Sequence, residues 1–398
     1  MKNTIIEYLN KFDFDIRKTK SNRFMDQKVT PDVLCIVADC VLKYLNTKQN
    51  DAIEFTSKDI WYFEYSNENV KDIFGKPDLM DQNAISEYNK FFHQPLKMLS
   101  YAQILSENKK SGKGNTLYFS LKNKEILEYL SVKEKHSLEF LNIYLEKILK
   151  ESDIWYLFQD FFTKNTKSTF NTLKSKYIEF IQNNTPTNDK KDISRIFTKI
   201  INPLSFKRKL HGTRKGFFSR GIILLNELMY NRENWRDIKK KRTETREEYE
   251  TRAKLEFQKS KNAYIKYSIN KAISIVRKLH SPISEIDDIL AVGEATQVHH
   301  IFMKSEFPQI ESYIENLILL TATQHSTKAH PNNTRLINKD YQLICLLAKS
   351  NSIQIHNNIY SKDDFLYVLK VGLNYEFPNN IEFTELQSKL IDLYNDVA

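Results

Sequence analysis

The sequence predicts a mainly helical protein with small α+β parts, and three observations carry that expectation. Glycine and proline are scarce, 8 and 9 in 398 residues, while lysine, leucine, isoleucine and glutamate are plentiful. That composition favours helices over a sandwich or barrel. Apolar residues recur at three- and four-residue steps along much of the chain, whereas strand-like alternation is confined to short stretches. The length suits two or three domains with real cores, and the patterning divides them at 1–185, 190–283 and 284–398.

Net charge is +10 with an isoelectric point near 9.1, which fits a nucleic-acid partner. Cys35, Cys40 and Cys345 form no disulfide or metal pattern, so a reducing compartment is expected. The first fifteen residues carry charges throughout, and no run approaches ~18 apolar residues. A cytoplasmic protein without a membrane partner is the expectation.

The first defined element begins at Thr30-Pro31-Asp32, an N-cap, a first-turn proline and an acid at the positive end of the dipole. Val33 to Leu45 is apolar almost all round and reads as a buried core helix. Ser57–Phe63, Asn69–Phe74 and Asp81–His93 read as further helices, the last stopped by Pro95. Tyr101–Leu105 and Thr116–Leu121 then alternate as a hairpin, whose loop carries Lys109, Lys110 and Lys113 with two glycines. This order predicts a winged-helix-like region, with the loop lysines on a DNA backbone and Ser86, Glu87, Asn89, Lys90 and His93 facing bases or phosphates. A solvated hairpin on an α+β domain is the alternative.

Val132–Lys150 and Trp155–Gln182 continue as amphipathic helices, and 183–189 reads as a linker. Between Ser205 and Arg220 stand six basic residues, Lys207, Arg208, Lys209, Arg214, Lys215 and Arg220, and no acid. Guanidinium forks and the open backbone at Gly212 and Gly216 suit phosphate contacts, so a DNA-backbone clamp is expected here. Lys239–Lys278 reads as a charged helix, ended by His280-Ser281-Pro282.

The stretch 294–333 organises the rest. Thr296–Phe302 reads as a strand delivering His299 and His300. A loop broken by Pro308 follows, then the apolar run Leu317–Leu320 led by Asn316, then a polar helical turn with His325 and His330. Adjacent strand residues face opposite ways, so the two histidines share one role only across a kink or bulge. A histidine can take a proton from water near neutral pH, and a divalent ion can relieve charge on a phosphorane. His330 falls about 140° beyond His325 on an α-helix, so both it and Lys328 are open to a metal or a phosphate role. No Cys-x-x-Cys accompanies these histidines, which argues against a structural zinc knuckle. Lys339–Lys349, Asp363–Val371 and Thr384–Tyr394 read as helices capping this unit.

Strand, loop, strand and helix bearing His, Asn and His, with Asn316 and His325 nine residues apart, resemble the ββα-metal (HNH) nuclease motif. The segments NRFMDQK (22–28), HGTRKG (211–216) and YNRENWRD (230–237) are similar to the type II restriction endonucleases that end in such a domain, including the type IIS subgroup. The resemblance implies His300 as general base, Asn316 as the residue pinning its loop, and His299 and His325 as ligands of one divalent cation. Most of that family has aspartate where His299 stands. Mg²⁺ is the expected ion, with Mn²⁺, Ni²⁺ or Zn²⁺ suited by a His/His pair. It further implies double-stranded DNA as substrate, a transient homodimer for double-strand cleavage and a companion DNA methyltransferase. A non-specific or nicking nuclease, and a DNA-binding regulator with an inert HNH remnant, are the rival readings.

Overall fold

A computed structural model describes residues 1–76, 84–230, 243–330 and 338–395. The protein is mainly helical, with three two-stranded antiparallel sheets among the described residues. It divides into two compact units, Met1–Ala263 and Tyr264–Ala398. Among the described residues, no helix is long and apolar enough to cross a membrane.

In the first unit, helix Pro31–Lys48 is the core element, buried from Pro31 through Leu42 and again at Leu45. It packs on helices Lys124–Val132 and Glu134–Glu151. Thr30 occupies the N-cap position, but its hydroxyl donates to Asp32 at 2.6 Å rather than accepting from the helix. Asp32 instead accepts the Val33 and Tyr230 amides. Helices Ser57–Trp61 and Glu64–Phe74 follow, the first held by a Thr56/Asp59 capping box.

The expected stop at Pro95 does not occur: helix Ala84–Tyr101 runs through it. An interior proline costs about 3 kcal/mol, and here Phe91, Phe92, Leu96, Met98 and Leu99 are all buried around it. Their packing outweighs one missing hydrogen bond. Residues 81–83 of the expected helix lie outside the described residues. The hairpin is present but shifted, with β1 at Leu105–Lys109 and β2 at Leu117–Leu121. Residues 101–104 are consumed by the helix end and its turn. Phe55 bridges Phe119 through two backbone hydrogen bonds, adding a short third strand position.

The single helix expected over Trp155–Gln182 is two, Trp155–Lys164 and Lys167–Asn184. Asn165 adopts the left-handed conformation (φ 44°) and Thr166 caps the next helix, the usual chemistry of a stop and restart. Across residues 183–189, helices Lys167–Asn184 and Lys190–Lys207 pack on each other within the first unit. Strands β3 (His211–Arg214) and β4 (Phe217–Ile222) follow as a hairpin.

Helix Arg246–His280 carries the chain into the second unit; the start of the charged stretch, through residue 242, lies outside the described residues. There β5 (Ala295–His300) pairs antiparallel with β6 (Leu317–Thr321), all five residues of β6 buried. One helical turn, Ala322–Gln324, leads into a π-helical turn, His325–Ala329. Helices Lys339–Ile355, Lys362–Leu373 and Phe383–Asn395 complete the unit. Gly372 lies against Phe302 so closely that a Cβ would come within 2.4 Å of the ring.

Candidate metal centre

Strand alternation separates the two adjacent histidines. The register is regular through His299↔Ile318 and His300↔Leu317, and the one irregularity in the β5–β6 pair lies earlier, between Ala295 and Gln297. No bulge falls at the pair, so the two rings take different surroundings. His299 is buried, 4% exposed, and meets His325 and His330. His300 instead reaches the Glu311 backbone, its Nε2 lying 3.0 Å from that carbonyl oxygen.

His330 joins the group because the turn is not α-helical. Its amide donates to the His325 carbonyl at 2.9 Å, five residues back. In a π turn the i and i+5 positions are neighbours, so the 140° offset expected of an α-helix does not apply. The three rings lie 5.5, 5.0 and 5.0 Å apart between centroids. One ring nitrogen from each falls within 4.8 Å of the others, close enough for the three to hold a metal ion. Lys328, on the same turn, is exposed.

A carbonyl only accepts, so His300 Nε2 must be the protonated nitrogen and Nδ1 carries the lone pair. Asn316 holds the backbone beside it. Fully buried, it accepts the Phe302 amide at 2.9 Å and donates to the Phe302 and Ile310 carbonyls at 3.0 and 3.3 Å. Its own carbonyl accepts the Ile301 amide. From the other side, Gln342 donates to the Ile301 carbonyl at 2.7 Å.

The electrostatics favour the neutral form of His299, His300 and His325. Burial drives His299 down to about 3, with the nearby His330, His325 and His300 acting the same way. His325 is lowered by burial and by His330. His300 is lowered by burial, an effect opposed by its bond to Glu311 and assisted by Lys304. Neutral imidazole is the metal-binding form, so the group fits a cation. An all-nitrogen set of three suits zinc or nickel better than magnesium or manganese, which prefer oxygen.

The basic residues of the first unit are arranged differently. Lys109 lies in β1, and Lys110 pairs with Glu54 at 2.7 Å and lies over the Tyr118 ring. Lys113 is exposed in the loop. The segment 205–220 lacks acids of its own, but the fold supplies them from elsewhere. Arg208 and Lys207 meet Glu146 at 3.1 and 3.8 Å, and Arg214 meets Glu227 at 2.5 Å. Lys209, Lys215 and Arg220 are exposed. Gly212 is no open backbone: a Cβ there would meet Asn202 at 2.6 Å and Ile223 at 2.8 Å. Gly216 forms the β3–β4 turn at φ +83°, its carbonyl held by Lys174. Glu87 is engaged by Lys28 and Lys76.

Two of the quoted segments meet. Lys28 and Lys76 donate to the Tyr230 phenol oxygen at 2.9 and 2.7 Å; residues 231–237 of YNRENWRD lie outside the described residues, as do 331–333 at the end of the histidine stretch. Glu311 could not have been found by side-chain chemistry, since its carbonyl makes the contact. A Thr321/Gln324 capping box directly ahead of His325 was legible as T-x-x-Q. The chain matches no family model, no curated protein and no solved structure.

Proposed function

We propose that this chain is a metal-dependent DNA endonuclease of the ββα-metal (HNH) class, sequence-specific in the manner of a type II restriction enzyme. The observation that carries this reading is His300: one ring nitrogen is committed to the Glu311 carbonyl, leaving the other free to act as a base, one residue along β5 from the first member of a group able to hold a cation. Nδ1 takes a proton from water, the hydroxide forms a bond to phosphorus, and the bond to the 3′ oxygen breaks, the leaving oxygen taking a proton from solvent. The products are a 5′-phosphate and a 3′-hydroxyl. A divalent ion held by His299, His325 and His330 would relieve charge on the phosphorane and the leaving oxygen. Asn316 keeps the backbone flanking the base fixed, as positioning within a fraction of an ångström requires.

Support for duplex recognition comes from the first unit, where a core helix, an extended bridge, further helices and a hairpin follow in the order of a winged helix. Exposed Lys109 and Lys113 lie on the hairpin, and Lys209, Lys215 and Arg220 on the basic segment. One such centre cuts one strand, so double-strand cleavage requires a transient homodimer or two successive nicks. A companion methyltransferase would protect the host.

The test is cleavage of a long defined duplex with Mg²⁺, Mn²⁺ or Ni²⁺, beside EDTA and His300→Ala. Discrete fragments that vanish with chelator and with the variant are expected, the variant losing at least about 10²-fold in rate. A smear would indicate a non-specific nuclease, and salt-sensitive binding without cleavage a DNA-binding protein. Cleavage surviving His300→Ala would remove this residue from the chemistry.

A further inference from the structure

We infer that Gln324 is the positioning residue of the metal centre, through an amide knot that fixes the start of the turn bearing His325 and His330. The inference rests on the reading that the three imidazoles hold a divalent ion. Gln324 immediately precedes His325 and is fully buried. Its Oε1 accepts the Thr321 amide at 3.0 Å and the Ser284 hydroxyl at 2.7 Å. Its Nε2 donates to the Ile286 carbonyl and to Asp288 Oδ1, both at 2.9 Å. Because an amide N–H only donates and a carbonyl only accepts, these partners fix which way the side chain points. Thr321 returns the contact by accepting the Gln324 amide at 3.2 Å and donates to the Leu290 carbonyl.

The need for such a device follows from local structure. His325 and His330 do not sit on a regular helix. They sit on one helical turn followed by one π turn, a piece too short to be stable by itself. Four hydrogen bonds at the residue before His325 tie that piece to the end of β6 and to the loop 284–290. Both ends of the amide are required. A carboxylate at this position would lose both donors and face Asp288.

The experiment uses the full chain with Co²⁺ as probe, reading affinity by titration and ligand geometry from the visible absorption bands. Gln324→Glu is expected to weaken Co²⁺ binding by about tenfold or more and to alter the bands. Adding Asp288→Asn to that variant is expected to restore part of the loss, since the asparagine amide can donate where the aspartate could not. Ser284→Ala, which removes one of the four bonds to the Gln324 amide together with the hydroxyl's contacts to the Leu319 carbonyl and the Ile286 amide and touches no histidine, is expected to weaken binding by a smaller factor while melting cooperatively. If Gln324→Glu does not fold, Ser284→Ala decides. Variants that fold and bind Co²⁺ as the parent does, with the same bands, would overturn the role of Gln324 alone. A parent that binds no Co²⁺ would overturn the metal reading, and this inference with it.

Discussion

Two regions of the molecule handle charge in opposite ways. In the second unit, one set of ionisable groups is withdrawn from water: beneath β6, Glu285 accepts the Leu319 amide at 2.8 Å, Lys349 at 2.5 Å and Ser352 at 2.6 Å. Both members of the Lys349–Glu285 pair are fully buried. In the first unit the basic segments lie at the surface, part paired with acids from distant elements and part free to meet water. A dry, committed network fixes geometry, while surface charge sets long-range attraction and contributes little to stability. The buried His299 of the candidate metal centre belongs to the first kind of construction, and any DNA contact surface would belong to the second.

The largest test of that contrast is Lys349→Met. Burial pulls the Lys349 pKa down, and Glu285, 2.5 Å away, opposes that pull. Removing the lysine strands a buried carboxylate, and a loss of about 3–5 kcal/mol is expected in urea unfolding. The double variant Lys349→Met/Glu285→Gln should recover much of it, because a neutral amide needs no counter-charge. A single variant costing under about 1 kcal/mol would show that this pair is not committed in the sense described.

Legibility in the sequence divides along the same line. The buried helix Pro31–Lys48 and the pair β5–β6 were readable because uninterrupted apolar runs and β-branched stretches leave few alternatives. The clustering of His299 with His325 was an expectation of the motif alone. The sequence leaves the inclusion of His330 open, since α-helical arithmetic sets it off the His325 face and nothing local announces a π turn. Pro95 misled because its helix is stabilised by tertiary burial rather than by propensity. The acids opposite Arg208 and Arg214 were invisible for another reason: Glu146 is 62 residues from Arg208, and a charge run read locally looks unpaired. Gln324 could have been seen in its capping box with Thr321, but its other side-chain partners lie 36 to 40 residues away.

A smaller effect is expected from His280, at the edge of the buried network. Lys349 donates to the Tyr360 oxygen at 3.0 Å, so the single Tyr360 proton is free to go to His280 Nε2, 2.8 Å away. That leaves His280 neutral. Burial lowers its pKa to about 4, opposed by Glu285 and assisted by Lys349 and His356. The folded value lies below the unfolded one near ~6.5, so the unfolded chain binds the extra proton. Stability is therefore complete above about pH 6.5 and declines as pH falls toward 4, by on the order of 2 kcal/mol from this residue. Urea titrations at pH 7.5 and 5 measure the decline, and His280→Phe should flatten it. An equal decline in the variant would assign the acid sensitivity to other groups.

The smallest effects concern the surface charges, and they separate free from paired cations. Lys113 is exposed in the β1–β2 loop and makes no ion pair among the described residues. If that loop follows a DNA backbone, Lys113→Ala should lower the slope of log K against log salt by about 1, alike for all sequences. Arg208 is engaged by Glu146 and lies 4.5 Å from the Phe162 ring centre and 5.3 Å from that of Trp155. Arg208→Ala should leave the salt slope unchanged and instead lower the melting temperature, at a cost of about 1 kcal/mol in lost packing. A change in slope for Arg208→Ala would mean that the Glu146 pair opens on DNA, and the basic segment 205–220 would then regain the clamp role that its composition suggests. No change for Lys113→Ala would move the contact surface off the hairpin, toward the exposed Lys209, Lys215 and Arg220.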